Sequence, residues 1–197
     1  MTFATQLSTA FTPIAAVYDT SSVSRALSWA QSFIVGYCNQ PFDLVTDDVV
    51  YLDPKPYRQA LLPYVPVVSV SSVEGLLPPS SGANALAWTN LPNYRFVANT
   101  GLIYDTTGEP GTNWSYGPSW PWVAGGLRVT YTHGYSVVPQ GLIDVGCRVA
   151  QQYLENPAIT IHRRTGDMEA RFSGSKGIVV SELDQRVLDR YTDIGIA

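Results

Sequence analysis

Leu127-Arg-Val-Thr-Tyr-Thr-His-Gly-Tyr135, followed by Val138-Pro139 and a run that closes on Tyr153-Leu-Glu-Asn-Pro157, is the stretch on which the fold turns. Leu127, Val129 and Tyr131 alternate with Arg128, Thr130 and Thr132, the period of a strand with one buried face and one wet face. Beyond Tyr135 the period lengthens. Pro139 suits a first helical turn, where its missing N–H costs nothing. Leu142, Ile143, Val145, Val149 and Tyr153 then share one broad helical face as far as Asn156-Pro157. A β-rich region therefore ends near 135, and helix resumes near 140.

Upstream, Asp43 to Tyr135 reads as β structure. Val49-Val50-Tyr51-Leu52 is a short apolar run closed by Asp53-Pro54, and Arg58 to Leu62 and Val65 to Val73 cluster β-branched or alternating residues between prolines. Tyr94 to Val97 and Leu102 to Tyr104 flank Ala98-Asn-Thr-Gly101, which has hairpin-turn chemistry. The expectation is roughly five or six short strands in a mixed or antiparallel sheet. Leu77 to Leu91 and Thr106 to Gly126 are expected as long loops. The second carries Trp114, Trp120 and Trp122, and three such rings are seldom left in water.

Further out, Val23, Ala26, Leu27, Ala30, Phe33, Ile34 and Tyr37 lie on one helical face, capped by Ser21 or Ser22 and stopped at Asn39-Gln40-Pro41. Phe3, Leu7 and Ala10 leave the N-terminal stretch open between a short helix and none, with Pro13 interrupting it. At the other end, Thr160 to Gly177 is polar, holds three glycines and lacks a period, so it is expected as an extended, mobile basic arm. Ser181 stands three residues before Asp184, close to a capping box, and Leu183, Val187, Leu188 and Tyr191 form the stripe of a closing helix. The fold class is thus α+β, with helices near 22–39, 140–156 and 181–191 and short strands between about 44 and 135. The 197 residues suit one domain, 1–197, with an arm at 160–177 and a C-terminal helix and tail at 181–197.

Composition narrows the function. Charged residues make up 14% of the chain against roughly 25% in ordinary domains, and 12 Tyr and 5 Trp accompany that shortage. Such a surface suits protein–protein contact. A net charge of −4 provides no general footprint for nucleic acid. No segment has the uninterrupted apolar length of a membrane span, and Met1 to Ala10 lacks the basic start and apolar centre of a signal peptide. Cys38 and Cys147 both fall in apolar-periodic segments and are expected as reduced, buried thiols in a chain folded in a cytoplasm.

Reactive constellations are sparse. His133 and His162 have no partner at metal-ligand spacing, no G-x-S-x-G elbow or phosphate loop occurs, and Cys147 lies on an apolar face. Asp47-Asp48 reads as a pair of solvated turn residues before a strand, the bland alternative to glycosidase carboxylates. Neither catalysis, metal nor cofactor is expected. Arg163, Arg164, Arg171 and Lys176 in the arm are candidates for phosphate or for acidic patches on a partner.

Several of these pieces, in order, resemble the head-to-tail connector (adaptor) proteins of long-tailed bacteriophages. The V-x-Y-x-x-G-Y strand at Val129 to Tyr135, the Val138-Pro139 turn and the helix ending Asn156-Pro157 are similar to theirs. So are the upstream strand Pro63-Tyr-Val-Pro-Val-Val-Ser-Val-Ser-Ser-Val73 and the closing helix Ser181 to Tyr191. The likeness spans about Ser22 to Tyr191. It departs in the Trp-rich insertion at Thr106 to Gly126 and in a start without a charged helix. It implies a small helical bundle carrying the strands between about 44 and 135 as a β-rich insertion, and a structural virion protein: a ring, of 12 copies in the family, between the portal and the tail-completion proteins, with packaged DNA passing through without specific binding. Trp114, Trp120 and Trp122 become candidates for a subunit or tail contact, and Arg163, Arg164, Arg171 and Lys176 for portal or DNA-channel contact. The alternatives are another neck or tail-completion protein, such as a stopper or tail terminator, or a β-rich carbohydrate-binding or hydrolytic module.

Overall fold

Thr2 opens the first helix, α1 (Phe3–Ala15), its side chain accepting a hydrogen bond from the Thr5 amide. Phe3, Leu7 and Phe11, one per turn, are buried. The structure, a computed structural model, describes residues 2–54, 58–78, 86–107, 120–121, 123–155 and 180–192, and the backbone alone of 162–165 and 168–171. The N-terminal stretch left open by the sequence is therefore helical. Pro13 lies in its last turn and does not interrupt it, because the lost amide bond comes too late to break the preceding turns.

The second helix, α2 (Thr20–Cys38), buries Ala26, Ala30, Ile34 and Cys38. Its cap is Asp19, not Ser21 or Ser22. The Asp19 carboxylate accepts from the Ser21 amide at 2.9 Å, the Ser22 amide at 3.2 Å and the Ser21 hydroxyl at 2.7 Å. These bonds, led by the serine side chains, hold its carboxyl well below the ordinary range. Asn39 ends the helix in the left-handed conformation. The third helix, α3 (Gln140–Glu155), starts as expected: the amides of Leu142 and Ile143 donate to the Pro139 carbonyl. The fourth, α4 (Glu182–Leu188), has Ser181 as its cap, accepting from the Asp184 amide.

Residues 1–43 and 136–197 form one compact unit, and residues 44–135 form a second. The β-rich insertion has the limits its sequence period set. In the helical unit α1, α2 and α3 pack against one another. Gly146 on α3 faces Leu7 and Ile34, and a Cβ there would lie 2.7 Å from Leu7 Cδ1 and 3.2 Å from Ile34 Cδ1. Trp29 stacks on Phe33 and on Tyr153, with centroids 5.4 and 5.7 Å apart.

The β unit holds seven strands among the described residues: β1 (Val45–Leu52), β2 (Gln59–Leu61), β3 (Val67–Leu77), β4 (Ala87–Asn90), β5 (Tyr94–Val97), β6 (Leu102–Asp105) and β7 (Leu127–His133). They make two sheets, ordered β1-β7-β3-β4 and β2-β6-β5, with every pair antiparallel. The alternation read in 127–132 holds: Leu127, Val129, Tyr131 and His133 are buried, and the residues between them are half-buried. Their inner face joins Ala60, Leu62, Val67, Val73, Leu91, Ile103 and Trp120 in one core. The hairpin between β5 and β6 turns on Gly101, at φ 67, whose amide donates to the Val97 carbonyl at 2.9 Å.

Two segments hold strand pairing that the sequence reading did not give. Leu77 to Leu91 is not all loop, because Ala87–Asn90 pairs with the end of β3 in the register Glu74↔Asn90 to Leu77↔Ala87. Four residues are too few to display a period. Within Thr160 to Gly177, expected as an extended, mobile basic arm, the extended backbone of β8 (His162–Thr165) and β9 (Met168–Arg171) pairs as a two-stranded hairpin, from His162↔Arg171 to Thr165↔Met168. Its pairing is local, so it needs no apolar period.

Candidate interaction surfaces

Of the three tryptophans expected at a contact, only Trp120 lies among the described residues, and it is a correction. Trp120 is 2% exposed and belongs to the β-unit core, with Pro121 beside it against Gly75. Its indole Nε1 has no partner among the described residues. A ring this large fills the end of the sheet interior more favourably than it would sit in water. Trp114 and Trp122 lie outside the described residues, as does Lys176. Arg163 and Arg164 sit on β8 and Arg171 on β9, and their side chains lie outside the description.

The structure brings together a different set on the outer face of the four-stranded sheet. Opposed residues share a face, so the pairs Tyr51↔Arg128, Arg128↔Glu74 and Leu76↔Trp88 put Tyr51, Arg128, Glu74, Leu76 and Trp88 on one side. The Arg128 guanidinium lies 4.8 Å from the centre of the Trp88 ring and bonds Glu74 at 2.7 Å. The Tyr51 and Trp88 rings are 5.8 Å apart. Hydrogen bonding to Glu74, above all, makes Arg128 hold its proton more firmly. Tyr51 is 60% exposed and Val49 47%. Tyr, Trp and Arg are the side chains that dominate binding energy at interfaces, and here they are already ordered. Sequence reading missed this cluster because Trp88 sat in an expected loop and Tyr51 in an apolar run with no apparent face.

The inner face of the same sheet carries the polar group nearest to a reactive one. His133 is 1% exposed, and its Nε2 lies 3.2 Å from Asp48 Oδ2. The rings of Tyr64 and Tyr131 flank it, with centroids 5.0 and 4.9 Å away. Its Nδ1 has no partner among the described residues, so neither ring nitrogen meets a serine or cysteine there. Burial pushes the Tyr131 phenol pKa upward. Asp47, exposed as expected, and Asp48, half-buried, are not turn residues. They lie within β1 at a bulge, Asp47 at φ 52, with Asp47 accepting from the Ser71 hydroxyl at 2.9 Å. The extra residue turns the two carboxylates apart, one to Ser71 and the other to His133.

In the helical unit, α4 is spent largely on its own bundle. Leu188 is fully buried, Arg148 on α3 forms a two-pronged ion pair with Asp184, the Tyr37 hydroxyl donates to Asp189 at 2.8 Å, and Gln40 Nε2 donates to the Tyr191 carbonyl at 2.7 Å. Burial raises the Asp184 pKa, but the bonds from Arg148 and Ser181 outweigh it and leave that carboxyl below its usual value. Leu183, 72% exposed, remains on the outside. Both cysteines are free. Burial pushes Cys38 up to about 11 and Cys147 upward too, so neither is poised as a nucleophile. Among the described residues no group of three His, Cys, Asp or Glu side chains could hold a metal, and no helix is long and apolar enough to cross a membrane.

No protein-family model matches the sequence, and no curated protein does. Solved structures do match. A chain from the neck of an empty gene transfer agent particle, computed with C6 symmetry, aligns at 16% identity and a TM-score of 0.47, over 91% of this chain and 82% of that one. A chain from the virion of the native particle aligns at 15% identity and 0.48, over 91% and 81%. A chain from the neck of the native particle, computed with C12 symmetry, aligns at 16% identity and a TM-score of 0.55, covering 100% of this chain and 94% of that one. The chain thus shares, from end to end, the fold of a neck component of a phage-like particle.

Proposed function

We propose that this protein is a structural subunit of the neck of a phage-like virion, a head-to-tail adaptor. In this reading twelve copies, matching the C12 symmetry of the similar neck, form a ring between the portal and the tail-completion proteins. Packaged DNA passes through the lumen. The chain is made in the host cytoplasm and acts through surfaces, without catalysis or cofactor. The observation that carries the proposal is the fold likeness over the whole chain, helical unit and inserted β unit together. The ordered series of strand, turn and helix motifs from Ser22 to Tyr191 supports it independently.

Within that reading Trp114 and Trp122 contribute to a subunit or tail contact. The hairpin bearing Arg163, Arg164 and Arg171, together with Lys176, faces the portal or the DNA channel. Contact with DNA there is weak and salt-sensitive, since a chain of net charge −4 has little general attraction for phosphate. The test is mass photometry and negative-stain microscopy of the purified chain, alone and mixed with portal rings of the same particle. Rings with a central opening that bind the portal are expected. A chain that stays monomeric in both settings refutes the proposal. Deleting 160–177 should abolish portal association, and unchanged association would remove the basic hairpin from it.

A further inference from the structure

The four-stranded sheet has two open edges, β1 and β4, among the described residues. Because all three pairings are antiparallel, β4 runs opposite to β1. A second copy displaced along the sheet, without inversion, would bring its β1 beside β4 in the antiparallel sense. That is a head-to-tail contact, the kind that closes into rings.

Open edges are normally blunted by Lys, Pro or inward charge, because unpaired backbone groups invite another chain. β1 carries its bulge and the inward Asp48 at its start and Asp53-Pro54 just past its end. The bulge ends at Asp47, and from Asp48 to Leu52 the register against β7 is regular. This run, Asp-Val-Val-Tyr-Leu, holds no Lys or Pro, and Val49 is 47% exposed. Across the sheet, Leu86 precedes β4 and is 49% exposed. The regular part of β1 and the four residues of β4 are nearly equal in length.

We infer that β1 of one copy pairs with β4 of the next, so that the sheets join into one continuous antiparallel sheet around the ring. The inference rests on the ring reading and names the contact that builds it. Four strands at about 4.8 Å span about 19 Å per copy, so twelve copies trace about 230 Å, a radius of about 37 Å. That leaves ample room for a DNA duplex.

Val49→Lys and Leu86→Lys place a charge at one edge each, on exposed positions, and leave the Tyr51–Trp88 contact intact. Each single variant should remain folded by circular dichroism and fail to form rings at concentrations at least tenfold above those that suffice for the unaltered chain. Mixed together, the two should form one-to-one dimers and no rings, since each retains the edge the other lacks. In the unaltered ring, amides of 48–52 and 87–90 should exchange at least tenfold more slowly than in the monomeric variants. That measurement on the unaltered ring holds even if a variant misfolds. Rings from both variants with fast exchange at these amides overturn the edge pairing while leaving the ring reading intact. Dimers of Leu86→Lys alone, protected at 48–52, show a twofold β1–β1 contact and overturn it as well. An unaltered chain that never assembles removes the ring reading itself.

Discussion

Gly146 and Leu7 should be strongly coupled, and the coupling tests whether α1 packs where the structure puts it. Leu7 is fully buried, and Leu7→Ala should cost about 3 kcal/mol through lost transfer energy and a residual cavity. Gly146→Ala gains about 1 kcal/mol of helix propensity in α3. Its new methyl would meet Leu7 Cδ1 at 2.7 Å and Leu7 Cδ2 at 3.4 Å. Overpacking of this kind costs about 1–3 kcal/mol, so Gly146→Ala alone should destabilise by about 1 kcal/mol. With Leu7 shortened both Leu7 contacts disappear, the 3.2 Å approach to Ile34 Cδ1 is left to relax into the vacated space, and the propensity gain remains. The double variant should then lose only about 2 kcal/mol where the sum predicts about 4, a coupling of about 2 kcal/mol. Urea unfolding followed by helical circular dichroism reads it, since the helices α1 to α4 all lie in one compact unit. Additivity within about 0.5 kcal/mol would show that Leu7 does not face Gly146, and the placement of α1 would fall.

Three further expectations follow from single sites. Trp120→Ala should destabilise the β unit by about 3–5 kcal/mol in thermal or urea melts, whereas an interface tryptophan would leave monomer stability near its original value. Gly101→Ala should cost about 1–2 kcal/mol, since φ is 67 and a Cβ would lie 2.9 Å from the Leu62 carbonyl oxygen; unchanged stability would place that turn elsewhere. Asp184 has a depressed carboxyl pKa, so its ion pair with Arg148 stabilises fully above the unfolded carboxylate range, near about 4, and is lost as pH falls through the lower folded value. Asp184→Asn should therefore lower stability at neutral pH and flatten the acid limb of a stability–pH curve. An acid limb identical to that of the unaltered chain would refute the role of this pair.

Much of the architecture was legible because it is written in local periods. The strand at 127–133, the helices near 22–39 and 140–156 and the hairpin at Gly101 each repeat an apolar spacing or a turn residue, and each formed where that signal lay. α1 was ambiguous because Pro13 argued against it, while Phe3, Leu7 and Ala10 argued for it; Phe11, not Ala10, completes the buried face. β4 was invisible because four residues cannot establish alternation. Of the candidate surfaces almost nothing was legible. Trp120, in a loop expected either to fold back on the core or to dock on a neighbour, was named as a contact candidate, yet it packs into the core. Tyr51, Arg128 and Trp88 stand far apart along the chain and meet only through the pairings of four strands.

By itself, the sequence determined the helices α2, α3 and α4, the longer strands, where the β-rich region begins and ends, and that charge is scarce. These follow from side-chain period and composition, which depend on near neighbours alone. Only the tertiary structure decided which aromatics are spent on cores and which stand ready on a face. It also decided that Asp47 and Asp48 diverge at a bulge, and that the sheet ends in two edges of opposite sense. Those outcomes depend on register and strand order, quantities set by contacts between residues distant in the chain.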